Sequence, residues 1–326
     1  MIVDTIRELP AYQALIEDLK ARAELSGLAL PRAARLPVAT GIYADLQKPV
    51  LLLTDRIDHA LSMLDELVFW APDAPRYPFP EPNPIFYERG AWSATIRRDR
   101  LQALIALTLY HIPGAPKPDH PPIIIAPARA LMTRTLPRRD MIKATKAIKP
   151  GQVASIDALL QTWIGIGYEP AEVVLEPGQF SRRGGILDIW PQTEPLPARL
   201  DFFGDEIDTL RHFDPASQRT VRNLDRLWIT PAREVLPGYA ATDLGVETID
   251  EFHLPLVHPA RASLLDYLPR ESRVLIDDLN LFEVTVNGFE EQAVKVRNEN
   301  IHEGLLPEDY PVPYLSWSEL QDSLSA

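Results

Sequence analysis

The chain has 326 residues, of which 46% are hydrophobic and 24% charged, values typical of a globular protein long enough for two domains. It has no cysteine, which excludes disulfides and thiolate sites, and its start, MIVDTIRELP, lacks the apolar core of a signal peptide. The net charge of −13 disfavours nucleic acid binding except through a local basic patch, and no apolar run reaches the roughly 18 residues of a membrane span, so we expect a cytoplasmic protein.

The first 136 residues alternate predicted helices with short apolar strands. Helices are predicted at 10–27, 55–67, 92–110 and 129–133, and strands at 48–54 and 122–126. Asp55 is expected to cap the second of these helices. Continuous apolar strands between helices are typical of βαβ units, so this part predicts a mostly parallel sheet.

The pattern changes near residue 137 and changes again near 237. Between them, a helix is predicted at 155–163 and strands at 173–175, 185–190, 198–203, 206–213 and 225–229. Several of these strands alternate apolar and polar residues, as half-buried antiparallel strands do. The sequence therefore predicts an α+β domain with a curled antiparallel sheet over residues 137–237.

After residue 237 the mixed pattern returns, with predicted helices at 263–268, 279–296 and 318–324 and a strand at 272–277. Gly288 weakens the prediction that the helix from Leu279 is continuous. We expect residues 1–136 and 238–326 to form one α/β domain from two chain segments, with the 137–237 domain inserted between them.

No motif for catalysis, a cofactor or a metal is found. A P-loop requires GxxxxGK[ST], and the nearest stretch, Gly41 to Lys48, has one glycine and a proline after the lysine. Asp277 and Asp278 follow a predicted strand and could hold Mg²⁺, but the preferred interpretation is that Asp278 caps the next helix. The two histidines at 253–258 are interpreted as loop residues.

A basic segment at 129–149 stands out in this acidic chain. It holds seven basic residues against one acid: Arg129, Arg134, Arg138, Arg139, Lys143, Lys146 and Lys149. The segment is either a solvated face or a docking surface for nucleic acid or an acidic protein. Aromatic residues do not interleave with these charges, so stacking on single strands is not indicated.

A second candidate surface lies in the Gly-rich stretch 176–185. Pro177-Gly178 predicts a turn, and the glycine pair at 184–185 permits a bulge or a close backbone approach. Phe180 beside Arg182 and Arg183 combines an apolar anchor with guanidinium donors, residue types enriched at binding hot spots. The alternative is that Phe180 faces the core and the arginines only keep an edge strand in water.

Three consecutive blocks carry a resemblance to a known family. They are EPGQFSRRGGILDIWP at 176–191, PARLDFFGDEID at 197–208 and LRHFDPASQRT at 210–220. These blocks resemble the segment shared by transcription-repair coupling factors (Mfd) and the excision-repair protein UvrB. The regions 77–107 and 264–278 are also similar to the N-terminal part of the coupling factors. UvrB has a P-loop, and its loss in this chain favours the coupling factors.

The resemblance implies a degenerate RecA-like domain with 1–136 similar to UvrB domain 1a and 238–326 to domain 1b. The insert 137–237 is then similar to UvrB domain 2, which binds UvrA. This chain would be a non-catalytic fragment that recruits UvrA to stalled RNA polymerase in transcription-coupled nucleotide excision repair. RNA polymerase and double-stranded DNA would bind through absent parts, which would include an ATP- and Mg-dependent translocase.

The resemblance also implies site residues. Arg183 matches the family arginine that precedes the glycine pair, Phe180 lies in the same motif, and we expect both to anchor UvrA. Arg182 is expected to assist, with Arg138 and Arg139 steering the partner electrostatically. Glu169 and Ser181 stand where relatives have arginines, so Arg182 is expected to substitute for the one that is missing at Ser181.

The family suggests that the UvrA surface is masked in the resting full-length protein by its C-terminal domain. The alternative functions are a nucleotide-dependent helicase-type enzyme with an unrecognised site, and a DNA-binding module that uses the 129–149 segment.

Overall fold

A computed structural model describes residues 2–21, 27–115, 117–240 and 244–325. The α-helices are α1 (Ile2–Arg7), α2 (Pro10–Lys20), α3 (Arg32–Leu46), α4 (Ile57–Trp70), α5 (Ala94–Thr108), α6 (Ala128–Met132), α7 (Arg138–Ala144), α8 (Ile156–Gly165), α9 (Leu254–Val257), α10 (Leu279–His302) and α11 (Trp317–Ser325). The strands are β1 (Val50–Thr54), β2 (Arg76–Pro78), β3 (Ile123–Pro127), β4 (Lys146–Ile148), β5 (Glu169–Pro170), β6 (Gln179–Arg183), β7 (Ile186–Ile189), β8 (Ala198–Phe203), β9 (Glu206–Phe213), β10 (Thr220–Asn223), β11 (Leu227–Ile229) and β12 (Arg273–Ile276). None of the helices in these ranges has the length and apolar character needed to cross a bilayer.

The first sheet is parallel and has four strands. Its strand order is β12-β1-β3-β2, and Leu52 at its centre pairs with Ile125 on one side and Leu275 on the other. Every residue of β1 and β3 is buried, which explains why both strands read as continuous apolar runs. The strand at 273–276 thus joins a sheet begun at residue 50, and the α/β class predicted from the sequence is confirmed.

The helices α4 and α5 differ in how they begin. α5 begins after Ser93, whose side chain accepts a hydrogen bond from the Ile96 amide. The prediction that Asp55 caps α4 is wrong, because the helix begins one residue later, after Arg56. Asp55 is buried and its carboxylate contacts His59 Nδ1 at 2.5 Å instead.

Three helices differ from the sequence prediction. α3, with Pro37 inside it, was not predicted, and it is held by buried residues on both sides of the proline. α10 runs through Gly288 to His302 because Phe282, Val286 and Ala293 bury one stripe of the helix. α2 ends at Lys20, and most of its predicted extension, residues 22–26, lies outside the described residues.

The second sheet has six strands, in the order β10-β9-β8-β7-β6-β5, and its buried residues belong to the same hydrophobic cluster as Leu51 and Ile124 of the parallel sheet. All pairs in it are antiparallel except β5 with β6, and α8 covers one face, where Trp163 is buried with Leu187 and Leu200. The bounds of β8 and β9 agree with the prediction. The predicted strand 173–175 is wrong, and the strand predicted at 225–229 instead pairs with β4 in a separate two-stranded sheet.

A buried ion pair joins α5 to the segment that follows β11. The Arg100 guanidinium donates to both carboxylate oxygens of Glu234, at 2.5 and 3.1 Å, and the two side chains are 0% and 1% exposed. The guanidinium also lies over the rings of Phe79, at 4.0 Å, and Trp92, at 4.9 Å. The Thr135 hydroxyl donates to the same carboxylate. Arg100 therefore fills a fully partnered buried site between two parts of the chain.

His258 links the same region to α7 and is expected to make the fold sensitive to acid. Its Nδ1 contacts the Asp140 carboxylate at 3.0 Å, and its Nε2 accepts the Leu236 amide at 3.2 Å. The imidazole is thus neutral in the fold, and burial lowers the pKa of His258 below its ordinary value. The unfolded chain therefore binds the proton more tightly, so the free energy of unfolding falls as the pH drops below about 6.5.

We expect His258→Gln to reduce this dependence. Thermal unfolding at pH 7.5 and 5.5 measures it, as the loss of stability between the two conditions in the variant and the parent chain. An equal loss in both proteins would show that His258 does not carry the effect.

Candidate functional site

The two arginines predicted to bind a partner lie at the end of a tight hairpin. β6 and β7 are antiparallel, and Arg183 pairs with Ile186 across the turn formed by the glycine pair. Gly184 has φ +61°, which favours glycine. At Gly185 a Cβ atom would lie 3.4 Å from the Phe202 carbonyl oxygen of the neighbouring strand. The glycines therefore allow a short turn that packs closely against β8.

Phe180 is a core residue, which corrects the prediction that it anchors a partner. Its side chain is 5% exposed, and its ring packs edge-on against Trp163 of α8 with centroids 5.8 Å apart. Phe180 pairs with Ile189, whose side chain is buried in the same core. The alternative left open by the sequence, that this phenylalanine faces the core, is the one that the structure shows.

Arg182 lies on the same face of the sheet as Phe180, because side chains two residues apart in a strand share a face. It pairs with Leu187, and its Nη1 donates to the Asp157 carboxylate of α8 at 2.6 Å. Both side chains are exposed, so this ion pair contributes little to stability. Arg182 does not share a face with Ser181, which contradicts the expectation that it substitutes there for the family arginine.

Arg183 lies on the opposite, outer face, held by a buried carboxylate. Its Nη2 donates to Asp188 Oδ2 at 2.8 Å, and its side chain is 50% exposed while that of Asp188 is 3% exposed. Asp188 also accepts two hydrogen bonds from Arg199, at 2.7 and 2.8 Å, and this pairing raises the pKa of Arg199. The same Nη2 also lies 3.5 Å from Gln218 Oε1, so the guanidinium is held at Nη2 while half of the side chain stays in solvent, where it can meet an acceptor on another molecule.

The outer face around Arg183 carries paired charges. Arg211 donates to the Asp201 carboxylate, and Arg199 also contacts Gln218 and lies over the Phe213 ring at 4.3 Å. These side chains are held by cross-strand partners before any partner protein arrives. A surface with fixed charges loses little side-chain entropy on binding.

The two departures from the family pattern have separate environments. The Ser181 hydroxyl donates to the Glu172 carbonyl at 2.9 Å, and Ser181 is 3% exposed. The Glu169 side chain is 66% exposed and its carboxylate lies 4.0 Å from Arg233. Ser181 is therefore covered by the preceding loop, whereas Glu169 places an acidic group at the surface.

The basic segment 129–149 divides into internal and surface residues. Arg129 is buried and binds the Pro82 and Pro84 carbonyls, and Arg134 is buried and binds three carbonyls that include that of Val312. Both are structural. The residues of this segment at least partly open to solvent are Arg138, Arg139, Lys143, Lys146 and Lys149. Arg138 and Arg139 lie in the first turn of α7, outside the six-stranded sheet that carries the hairpin.

In the stretch nearest to a P-loop, residues 41–48, the glycine and the lysine both contact other parts of the fold. Gly41 lies inside α3, and a Cβ atom there would come within 2.9 Å of the Tyr12 hydroxyl oxygen. Lys48 forms an ion pair with Glu271. Gly41 therefore provides room for an aromatic ring of α2, and the lysine is engaged with a carboxylate.

The acidic and histidine candidates are also engaged. The Asp278 side chain accepts the Leu281 amide at 3.1 Å and caps α10, as preferred from the sequence, and Asp277 lies 3.2 Å from Arg35. His253 belongs to a capping box with Asp250. Across the part of the chain that the structure describes, no three His, Cys, Asp or Glu side chains converge as metal ligands would.

One surface residue was missed by the sequence reasoning. Phe203, the last residue of β8, is 84% exposed. Alternation along the strand was the signal that could have located it. Leu200 and Phe202 point to the core, so Phe203 lies on the opposite face. Phe203 lies at the same end of the sheet as the 184–185 turn, since Phe202 donates its amide to the Gly185 carbonyl at 2.8 Å.

Comparisons with known proteins agree with the geometry. Residues 147–235 match the UvrB interaction domain family, which covers the six-stranded sheet and α8. The chain is 26% identical to the transcription-repair-coupling factor of Bacillus subtilis (91% of the chain, 27% of the relative), 38% identical to that of Escherichia coli (42% and 12%) and 30% identical to that of Myxococcus xanthus (69% and 19%).

The chain thus spans about a quarter of the length of the Bacillus subtilis relative and less in the other two alignments. The family match covers the three blocks at 176–191, 197–208 and 210–220 that carry the resemblance in the sequence. The resemblance is therefore confirmed: over nine-tenths of its length this chain is similar to the transcription-repair-coupling factor of Bacillus subtilis, and its residues 147–235 match the UvrB interaction domain family.

Proposed function

We propose that this chain is a non-catalytic adaptor that binds UvrA through the outer face of its six-stranded sheet. The observation that carries the proposal is Arg183, half exposed and oriented by the buried Asp188, within the region that matches the UvrB interaction domain. An arginine that is held at Nη2 and half exposed can donate a charge-assisted hydrogen bond from its other nitrogens to a carboxylate of a partner.

For the wider role, we propose that this chain acts as one module of a transcription-repair-coupling factor and recruits UvrA to stalled RNA polymerase in the cytoplasm. Other parts of such a protein would bind RNA polymerase and double-stranded DNA. ATP and Mg would serve those parts, and a C-terminal domain would mask the UvrA surface at rest. Residues 1–136 and 238–326 form a degenerate RecA-like scaffold in this proposal, with 137–237 as the UvrA-binding insert. Arg138 and Arg139 steer the encounter.

The test is a calorimetric titration of UvrA with the chain and with Arg183→Gln. Truncating a central arginine at an interface costs roughly 2 kcal/mol, which is about a 30-fold loss of affinity. Glutamine is preferred to glutamate, since a second carboxylate would face the buried Asp188. The fold should tolerate the change because Arg199 still compensates Asp188.

Arg270→Gln is the matched control. Arg270 is exposed, lies outside the 147–235 region, and loses the same charge when it is replaced. We expect the control to bind UvrA as the parent chain does. Equal affinity of the parent chain and Arg183→Gln, or no binding by the parent chain, would contradict the proposal.

A further inference from the structure

The β8–β9 hairpin ends in an aromatic side chain that the fold leaves in solvent. Phe203 pairs with Glu206 across a short turn in which Gly204 has φ +63°. Phe203 and Phe69 are each 84% exposed, the highest fractions among the large apolar side chains of the described residues. Phe202, its neighbour, packs on the core. The core is therefore complete without Phe203.

Phe203 lies on the same outer face as Arg183. Arg183, Ile186 and Asp201 form one cross-strand row, and residues in one row share a face. The β8–β9 pairing shifts register between Asp201 and Phe202, but Phe202 packs on the core, so the side chain of Phe203, next to it in β8, leaves the sheet on the outer face. The amide of Phe202 bonds to the Gly185 carbonyl at 2.8 Å, which brings the two hairpin turns together.

A second exposed apolar residue continues this surface. Val153 pairs with Glu206 on the far side of β9 and is 74% exposed. Phe203 and Val153 therefore flank Glu206 in one row, about 10 Å apart across two strand spacings. Both residues fall within the 147–235 match. An aromatic group beside an oriented arginine is the composition of an interface hot spot.

We infer that Phe203, and not Phe180, is the apolar anchor of the surface that binds UvrA. The inference rests on the proposed function and specifies the chemistry of the contact. UvrA would offer an apolar pocket for the Phe203 ring, with Val153 at its edge, beside a carboxylate that receives Arg183. Neither contact alone makes the site, because the arginine orients the partner and the ring provides the apolar burial.

The experiment compares the affinity of the whole chain for UvrA in four forms: parent, Phe203→Ala, Phe203→Leu and Phe69→Ala. Burying a phenylalanine is worth enough that Phe203→Ala should weaken binding by about tenfold or more. Phe203→Leu keeps most of the apolar area and should fall between the parent and Phe203→Ala. Phe69→Ala removes an equally exposed ring from α4 and should bind as the parent does.

The outcomes separate this inference from the proposed function. Parent-like binding by Phe203→Ala, with weakened binding by Arg183→Gln, would overturn the anchor and leave the adaptor role intact. Equal losses in Phe203→Ala and Phe69→Ala would also overturn it, since the effect would not be local. No binding by the parent chain would overturn both. Melting temperatures of all variants should remain parent-like, because the two rings are exposed.

Discussion

Replacing Arg100 by methionine is expected to lower the free energy of unfolding by about 3–5 kcal/mol, the cost of leaving one partner of a buried ion pair without the other. Glu234 would keep a carboxylate that is 1% exposed and retain only the Thr135 hydroxyl among its present side-chain donors. The rings of Phe79 and Trp92 would lose the cation that lies over them. Denaturant unfolding followed by tryptophan fluorescence measures the change.

The double variant Arg100→Met with Glu234→Leu shows whether the charge is the cause. Two apolar residues of similar volume can replace a buried pair with little net change, so the double variant should recover much of the lost stability. If the double variant is as unstable as Arg100→Met, the loss reflects packing around α5 and the ion-pair explanation is wrong.

Phe180→Ala is expected to lower the free energy of unfolding by about 3–5 kcal/mol, because removal of a buried aromatic ring leaves a cavity. The ring packs between the six-stranded sheet and Trp163 of α8, and it is 5% exposed. The measurement is denaturant unfolding of Phe180→Ala beside Phe203→Ala, which removes the same ring from an exposed position. Only the first variant should be destabilised.

Affinity for UvrA separates the two roles of these phenylalanines. Under conditions in which Phe180→Ala is folded, we expect it to bind UvrA as the parent chain does. If Phe180→Ala changed the free energy of unfolding little and lost much of its affinity for UvrA, Phe180 would contact the partner as first predicted.

Much of the fold could be predicted, because a strand or helix that is buried on one or two faces has a recognisable pattern of apolar residues in its sequence. β8 alternates between its two faces, and the bounds of β8 and β9 were predicted although a register shift interrupts the alternation of β9. β1 and β3 are continuous apolar runs because both of their faces are covered. β10 has four exposed residues and no buried face to read. The stretch 173–175 looked like a strand because of Val173 and Leu175, yet both are exposed and no strand forms there.

The candidate site was predicted only in part, because a motif does not say which face of a strand is covered. Arg183 lies at the surface, as expected. Phe180 was predicted to lie at the surface and lies in the core instead. The turn at the glycine pair sets it opposite Ile189, which is buried in the same core. Phe203 was overlooked because apolar strand residues are usually assigned to the core. Only the alternation of side chains along β8 shows that Phe203 lies on the outer face.

Hydrogen–deuterium exchange of the chain with and without saturating UvrA tests the central claim most directly, because it locates the contact without any substitution. We expect slower exchange at the backbone amides of the 183–186 and 203–206 turns, with no change in α4. Protection confined to α4, or to the basic residues from Arg138 to Lys149, with both turns unchanged, would contradict it.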